Sequence, residues 1–142
     1  MINRERYIEK IRPFYESDLI KVITGIRRCG KSVFLEQVKN EIAAQGKNII
    51  HLNFELRSVS SKITDDEELI NYIEEKIKTS PDEKWYIFLD EVQSVKNWNL
   101  DCRSLRLENT SIFITGSNSR LLSKEFTKEL SGRYLSFSIH PF

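Results

Sequence analysis

The fold of this chain is decided by one stretch, Val22-Ile23-Thr24-Gly25-Ile26-Arg27-Arg28-Cys29-Gly30-Lys31-Ser32. It begins as a strand-like apolar run and passes into Gly-x-x-x-x-Gly-Lys-Ser, the pattern of a phosphate-binding P-loop. The glycines let such a loop wrap with its backbone N–H groups pointing inward, so we expect all eight residues of the pattern to bind the ligand. Lys31 is predicted to neutralise the β- and γ-phosphates, and the Ser32 hydroxyl to bind Mg²⁺. A coincidental glycine turn is the alternative, and the strand-like and helix-like flanks disfavour it.

Composition indicates an ordinary globular protein. The 142 residues are 39% hydrophobic and 30% charged, which suits a single domain. With Lys+Arg at 22 and Asp+Glu at 21, the chain has no basic bias toward nucleic acid. Its apolar runs are too short to span a membrane. Two cysteines are too few for a disulfide framework, so we expect free thiols and a cytoplasmic location.

The order of elements after the P-loop predicts a parallel sheet. A helix is expected over residues 32–45 and a second strand over residues 47–54, and this order implies a right-handed crossover between parallel strands. The helix positions expected to face the sheet are Val33, Phe34, Val38 and Ile42. Glu55 falls just past the carboxyl end of the second strand, where such sheets bind ligands, although a solvated loop is the simpler interpretation. Thr64 and Glu67 then form a capping-box pattern that predicts the start of another helix.

A second decisive stretch is Trp85-Tyr86-Ile87-Phe88-Leu89-Asp90-Glu91. Its continuous apolar run is typical of a strand buried on both faces, and it ends in two carboxylates. Downstream of a P-loop at strand–helix–strand distance, this pattern predicts a Walker B site in which Asp90 joins Ser32 in holding Mg²⁺. Glu91, one residue further on, is expected to be the general base that activates water.

A later strand is predicted to end in polar residues that could sense the ligand. Residues 111–118 read Ser-Ile-Phe-Ile-Thr-Gly-Ser-Asn. In P-loop ATPases with an Asp-Glu pair, the strand after Walker B commonly carries a polar residue that senses the γ-phosphate and orients water. We assign this catalytic role to Asn118, with Ser117 as the alternative and Thr115 third. A turn built by Gly116 and Asn118 is the competing structural explanation.

Arg133 is expected between the last helix and the last strand. The helical pattern breaks just before it, and strict alternation begins at Tyr134. A guanidinium at this point could complete the catalytic site of a neighbouring subunit in a homo-oligomer, as an arginine finger does. A surface ion pair with Glu129 is an equally good explanation.

Four segments in combination carry a family resemblance: residues 23–32, Phe88-Leu89-Asp90-Glu91-Val92-Gln93, Ile114-Thr115-Gly116-Ser117-Asn118-Ser119 and Leu130-Ser131-Gly132-Arg133-Tyr134. They resemble the prokaryotic AAA-type ATPases of the AAA-14 domain family, which are AAA+-like P-loop ATPases. The resemblance covers nearly the whole chain. It implies a three-layer α/β/α fold whose parallel sheet has about five strands in the order 5-1-4-3-2. It also implies ATP rather than GTP as the nucleotide.

Relatives in this family usually continue past the Pro141-Phe142 that ends this sequence, often with a winged-helix-like part and a nuclease-like part. We therefore expect residues 1–142 to be the ATPase core, a single domain without its lid, and any contact with nucleic acid to need a C-terminal region. The predicted function is Mg²⁺-dependent binding of ATP, with hydrolysis to ADP that drives a conformational change. Three alternatives stay open: an ATP-binding switch with little turnover, a small-molecule phosphotransferase and a nucleic-acid-binding module.

Overall fold

Five parallel strands form a single sheet in the computed structural model, which describes residues 4–25, 30–116 and 132–139. The strands are β1 (Ile20–Gly25), β2 (Asn48–Asn53), β3 (Trp85–Asp90), β4 (Thr110–Gly116) and β5 (Tyr134–Ile139). Their spatial order is β2-β3-β4-β1-β5, and every neighbouring pair is parallel. The predicted order 5-1-4-3-2 is this order counted from the other side, so the sheet topology is confirmed.

One helix precedes the first strand, and the other described helices lie between strands. They are α1 (Arg4–Ile11), α2 (Lys31–Ala43), α3 (Arg57–Ser60), α4 (Asp66–Ile77) and α5 (Trp98–Arg106), with 3₁₀ turns at Arg12–Phe14 and Val92–Ser94. Because α2, α4 and α5 each return the chain to the edge from which the preceding strand started, successive strands run in the same direction. Within the described ranges, none of the helices has the length and apolar character needed to cross a membrane.

Side chains of β3, an interior strand of the sheet, alternate between two apolar cores, one on each face. Tyr86 and Phe88 pack with residues of α1 and α2. Ile87 and Leu89 pack with residues of α4 and α5 on the other face. A strand buried on both faces needs a continuous apolar run, because successive side chains point in opposite directions. The predicted three-layer α/β/α architecture is therefore confirmed.

Val33 does not face the sheet, contrary to its predicted position on the helix. Its side chain is 47% exposed, whereas Phe34 and Leu35 are buried. At about 100° per residue, Val33 lies roughly 200° around α2 from Leu35, so only one of the two can face the core. The prediction was wrong because three consecutive apolar residues leave the direction of the apolar face undetermined.

The helix α4 begins one residue later than the capping-box pattern predicted. Asp65 is its N-cap residue, and its carboxylate accepts a hydrogen bond from the backbone N–H of Glu68 at 2.9 Å. Glu68 in turn accepts from the backbone N–H and the hydroxyl of Thr64, at 2.9 and 2.7 Å. Two overlapping pairs of residues fit the capping-box spacing, Thr64 with Glu67 and Asp65 with Glu68. Asp caps a helix at least as well as Thr, and the pair that begins at Asp65 is the one adopted.

The strand ends define two edges of the sheet. Because the strands are parallel, β1, β2, β3 and β4 reach the same edge, which we call the carboxyl edge; their last residues are Gly25, Asn53, Asp90 and Gly116. The opposite edge, where the strands begin, is the amino edge. Open parallel sheets bind their ligands outside the carboxyl ends of the strands. The fold therefore directs attention to the residues that follow these four.

Candidate functional site

The predicted P-loop spans the connection between β1 and α2 at the carboxyl edge. β1 ends at Gly25 and α2 begins at Lys31, with Gly30 as its N-cap residue at φ 95° and ψ 18°. This left-handed conformation favours glycine and explains the second glycine of the motif. Outside the described residues lie Ile26, Arg27, Arg28 and Cys29. A buried strand before the loop and a helix of 13 residues after it are the flanks that a P-loop needs.

Lys31 opens α2 and pairs with a carboxylate from another element. Its side chain is 5% exposed, and its Nζ lies 3.1 Å from Oε1 of Glu91, whose side chain is 16% exposed. The two residues are 60 positions apart in sequence. The structure thus brings together the predicted phosphate-binding lysine and the predicted general base. A lysine held by a carboxylate can exchange that anion for another, and a phosphate oxygen forms the same kind of charge-assisted bond.

Ser32, the predicted Mg²⁺ ligand, lies beside a second carboxylate. Its Oγ donates to Oε1 of Glu55 at 3.5 Å, a long hydrogen bond between exposed groups. Glu55 follows β2 at the carboxyl edge, and its backbone N–H donates to Oδ1 of Asn53 at 3.0 Å. Glu55 is exposed, which fits the predicted solvated loop. The same loop places the Glu55 carboxylate beside Ser32 of the predicted P-loop.

Thr115 on β4 supports both residues of the predicted Walker B pair. Its hydroxyl donates to Oδ1 of Asp90 and accepts from the backbone N–H of Glu91 at 2.9 Å. Asp90 is 2% exposed and Thr115 is completely buried, so both bonds are shielded from water. Thr115 is one of the three candidates for sensing the γ-phosphate, and its hydroxyl is therefore already hydrogen-bonded to Asp90 and Glu91. The other two, Ser117 and Asn118, lie outside the described residues.

The oxygen atoms of Ser32 and Asp90 suit Mg²⁺. Hydroxyl and carboxylate oxygens are hard ligands of the kind that this ion binds. The described residues contain no group of three or more His, Cys, Asp or Glu that could hold a metal ion by itself. Mg²⁺ at nucleotide sites takes one or two protein ligands and completes its shell with phosphate oxygens and water. The donor set therefore fits Mg²⁺ that binds together with a phosphate ligand.

Glu91 adopts a backbone conformation that is rare for a residue with a side chain. Its φ of 56° and ψ of 50° are left-handed, which costs roughly 1–3 kcal/mol for a non-glycine residue. The 3₁₀ turn that follows carries Gln93, whose Nε2 donates to Oε2 of Glu91 at 2.6 Å. Both carboxylate oxygens of Glu91 thus have a partner. Strain of this kind clusters at functional sites, which supports a special role for Glu91.

Arg133 lies at the amino edge, away from the P-loop. Its backbone C=O accepts from the N–H of Ile20, the first residue of β1, at 3.2 Å. Because β5 pairs with β1 in parallel along its whole length, the strand separates Arg133 from Gly25 by roughly 20 Å. Arg133 therefore does not serve the P-loop of its own chain, and its role in a neighbouring subunit stays a prediction. The alternative partner, Glu129, lies outside the described residues.

Two contacts of the site were not expected from the sequence. Gln93 was not among the predicted site residues, and the available signal was a polar side chain two positions after Glu91. Thr115 was ranked third for a different role. Which polar residue at the end of β4 meets Asp90 is decided by the register of the two strands, and a local sequence pattern does not report register.

Comparison with known proteins gives a family and two relatives. The family model AAA_14, described as AAA domain, matches residues 17–142. An uncharacterised protein of Haemophilus influenzae is 43% identical over 145 residues, which cover 99% of this chain and 36% of the relative. An uncharacterised protein of Methanocaldococcus jannaschii is 40% identical over 142 residues, which cover 99% of this chain and 30% of the relative. The chain thus spans about a third of the length of these curated relatives.

Solved structures share the fold at low sequence identity. Cdc6p from Pyrobaculum aerophilum has a TM-score of 0.67 at 11% identity, covering 95% of this chain and 45% of that one. Rif2 from Saccharomyces cerevisiae has a TM-score of 0.61 at 17% identity, covering 95% of this chain and 54% of that one. For PCH-2 from C. elegans the TM-score is 0.55 at 15% identity, with coverage of 95% and 40%. At such identities the likeness shows the fold alone.

Proposed function

Because the chain belongs to the AAA domain family, we propose that the carboxyl edge of its sheet binds ATP together with Mg²⁺ and hydrolyses it to ADP. The family suggests nucleotide binding in general. The choice of ATP, the metal ion and the hydrolysis go beyond it. Residues 1–142 act as one ATPase domain whose turnover drives a conformational change in the cytoplasm. Cys102, a buried free thiol, is consistent with a reducing compartment.

One contact carries the proposal: Nζ of Lys31 lies 3.1 Å from Oε1 of Glu91. The two residues come from separate motifs, and a nucleotide site needs both motifs at one point. A chance glycine turn would have no reason to place its lysine against the carboxylate that follows a buried strand. Asp90, adjacent to Glu91 and held by Thr115, adds the expected metal ligand to the same edge.

Phosphate binding is assigned to the P-loop from Gly25 to Ser32. Backbone N–H groups at the start of α2 and the positive end of its dipole attract an anion there. Lys31 neutralises charge on the β- and γ-phosphates. Ser32 and Asp90 hold Mg²⁺, which when bound neutralises further phosphate charge. Binding would thus depend on two cations, the Lys31 ammonium group and Mg²⁺.

Water activation is assigned to Glu91. Oε1 of Glu91 is occupied while it pairs with Lys31. A phosphate that takes Lys31 releases this oxygen, which can then accept a proton from the attacking water. The water oxygen bonds to the γ-phosphorus as the bond to the bridging oxygen breaks, giving ADP and phosphate. Asn118 orients the water, and Arg133 completes the site of a neighbouring subunit in a homo-oligomer.

Calorimetric titration with ATP and with GTP in the presence of Mg²⁺ tests the binding step. We expect ATP to bind more tightly than GTP, and Lys31→Ala to weaken ATP binding roughly 10- to 100-fold through the loss of a charge-assisted contact. Lys39→Ala, which removes a lysine of the same helix paired with Glu36, is the matched control and should keep the affinity. A folded chain that binds no ATP would overturn the proposal.

The substitution Glu91→Gln separates hydrolysis from binding. We expect ATP hydrolysis to fall by about 100- to 10,000-fold while ATP binding persists, because glutamine cannot accept the proton. Glu75→Gln, on an exposed carboxylate of α4, should leave phosphate release unchanged. If Glu91→Gln hydrolysed ATP at the wild-type rate, the ATP-binding switch with little turnover would be the better account.

Mixing two inactive variants tests the role of Arg133. Chains with Arg133→Ala lack the guanidinium, and chains with Glu91→Gln lack the base. If Arg133 acts in a neighbouring subunit, a mixture contains sites with both groups intact and regains part of the hydrolysis rate. A mixture with no activity above that of its components would contradict the role of Arg133 in trans.

A further inference from the structure

Glu91 is held by two donors of different kinds, one on each carboxylate oxygen. Nζ of Lys31 lies 3.1 Å from Oε1, and Nε2 of Gln93 donates to Oε2 at 2.6 Å. Lys31 is charged and belongs to the P-loop, whereas Gln93 is neutral and belongs to the turn that begins at Glu91. The two contacts therefore respond differently when an anion enters the site.

Packing of the turn fixes the position of Gln93. Val92 is completely buried and Val95 is 1% exposed, both in the apolar core beneath α4 and α5. The N–H of Val95 donates to the C=O of Val92 at 2.9 Å and closes the turn. Residues two apart on a regular helix do not face each other. Here the left-handed backbone of Glu91 redirects the chain, and the side chains of Glu91 and Gln93 meet.

The amide oxygen of Gln93 is a buried hydrogen-bond acceptor. Only Nε2 can donate to a carboxylate, so the bond to Glu91 fixes the orientation of the amide. Oε1 of Gln93 is buried and has no hydrogen-bond partner among the described residues. A buried acceptor is unfavourable unless a water molecule or a ligand satisfies it. Of the two polar atoms of this amide, the described residues pair only Nε2, with Glu91.

We propose that Gln93 is a positioning residue, which keeps the carboxylate of Glu91 aimed at the attacking water after a phosphate has taken Lys31. This inference rests on the proposed ATPase function. A phosphate competes strongly for a charged lysine and only weakly for a neutral amide donor. Gln93 then restricts the rotation of the Glu91 side chain, which would otherwise sample several rotamers.

The variant Gln93→Met tests this role, because methionine keeps the length of the side chain and lacks both ends of the amide. We expect kcat to fall about 10- to 100-fold while the Kd for ATP stays within about twofold. In a Glu91→Gln background the same substitution should cause no further loss, because Gln93 acts through Glu91. Gln45→Met, at an exposed glutamine after α2, is the matched control and should keep the wild-type kcat.

The NMR signal of the Gln93 side-chain amide gives a readout that does not depend on turnover. The N–H bonded to Glu91 should resonate far downfield of its geminal partner, and stay there when Mg²⁺ and a non-hydrolysable ATP analogue are added. Glu91→Ala should return the signal to the position of a solvated glutamine. A wild-type kcat in Gln93→Met, or an amide signal insensitive to Glu91→Ala, would overturn the proposal. A wild-type chain that hydrolyses no ATP would instead overturn the proposed function, and the amide signal would still decide whether Gln93 holds Glu91.

Discussion

Two lysines are buried at opposite edges of the same sheet, and their partners differ. Lys31, at the carboxyl edge, is 5% exposed and lies 3.1 Å from a carboxylate oxygen of Glu91. Lys21, the second residue of β1, lies near the amino edge and is completely buried. Its Nζ donates to the backbone C=O of Ser17 at 2.6 Å and to Oγ of Ser111 at 2.8 Å. Lys31 thus has a charged partner, whereas both oxygens that accept from Lys21 in the described part of the chain are neutral.

The charge of Lys21 is costly because its ammonium group is buried, and attraction by Asp18 and Glu16 offsets this burial only in part. Burial lowers the pKa of Lys21 to about 7, with repulsion from Lys84 as a smaller cause. The ring of Phe113, whose centroid lies 4.7 Å from Nζ, offsets part of this cost. Ser111 donates its own hydrogen to the backbone C=O of Tyr15 at 2.6 Å, so this cluster is satisfied internally. Burial of a lysine therefore does not mark a functional site. Lys31 differs in having an anionic partner at the start of a helix, where we propose that a phosphate replaces it.

Replacing Lys21 should give the largest change in stability and sharpen the contrast between the two edges. Lys21→Met removes a buried charge and nearly keeps the side-chain length, so we expect the free energy of unfolding at pH 6 to rise by about 3 kcal/mol. Lys47→Met, at an exposed lysine, should change it by less than about 0.5 kcal/mol. Urea unfolding followed by circular dichroism measures both. A less stable Lys21→Met would mean that the hydrogen bonds of the ammonium group outweigh its desolvation.

The pH dependence of stability should carry a separate signature of Lys21. The pKa of Lys21 is about 7 in the folded chain and about 10.4 in the unfolded chain. Between these values the unfolded chain binds more protons, so stability increases with pH. We expect the wild type to gain about 2 kcal/mol relative to Lys21→Met between pH 7 and pH 9. Urea titrations across this range measure the gain, and parallel stability curves for the two proteins would break the account.

Two threonines of β4 extend the comparison to neutral groups at the two edges. Thr115 bonds to Asp90 and to the N–H of Glu91, and Thr110 donates to the C=O of Leu105 at 2.6 Å. Each substitution to valine should cost between about 1 and 2 kcal/mol of stability, because buried polar atoms lose their partner. Only Thr115→Val should also slow ATP hydrolysis, by roughly tenfold, because it loosens Asp90 and Glu91, the proposed metal ligand and general base. Equal phosphate release by the two variants would contradict this division.

Asp101 should produce the smallest effect, with the opposite dependence on pH. It is buried on α5, and its Oδ2 has no hydrogen-bond partner among the described residues. Burial, with smaller contributions from Asp66 and Asp65, raises the pKa of Asp101 to about 7. The folded chain then binds more protons than the unfolded chain between about pH 4 and pH 7, so stability falls as pH rises through this window. Asp101→Asn should flatten this fall and add about 1 kcal/mol at pH 8, since no charge is buried. Thermal melts at pH 5 and pH 8 measure the difference, and an unchanged profile would argue against the raised pKa.

The fold was predictable because its determinants are local or come with the family resemblance. β3 is apolar from Trp85 to Leu89, which predicts a strand buried on both faces. The two glycines of the predicted P-loop, Gly25 and Gly30, mark the end of β1 and the start of α2. Both motifs place their polar residues at strand ends, and parallel strands share one edge. The strand order came from the resemblance and was confirmed by the sheet, whereas no periodicity in the sequence reports it.

Contacts between distant segments could not be predicted in the same way. Lys21 interrupts an apolar strand, and its partner Ser111 lies 90 positions away. Whether such a lysine faces solvent or the core depends on what the neighbouring strands place beside it. Thr115 meets Asp90 because of the register between β3 and β4, which the sequence of neither strand states.

Backbone conformation explains the remaining surprises. Gln93 reaches Glu91 only because Glu91 is left-handed, and glutamate has no preference for that conformation. Arg133 was placed correctly before the last strand, but the strand direction puts that point at the amino edge. The sequence position of a residue therefore indicated its element more reliably than it indicated its neighbours.

Ligand-linked stabilisation tests most directly the central claim that Lys31, and not Lys21, is the lysine that binds an anion. Urea unfolding would be measured for the wild type, Lys31→Met and Lys21→Met, each with and without Mg²⁺ and ATP. At an ATP concentration of about 100 times the wild-type Kd, we predict a stabilisation of about 2.7 kcal/mol in the wild type and in Lys21→Met. Lys31→Met, with the 10- to 100-fold weaker binding expected on loss of this lysine, should show only about 0.4 to 1.4 kcal/mol. Full stabilisation of Lys31→Met, or its loss in Lys21→Met, would contradict the assignment of the carboxyl edge as the nucleotide site.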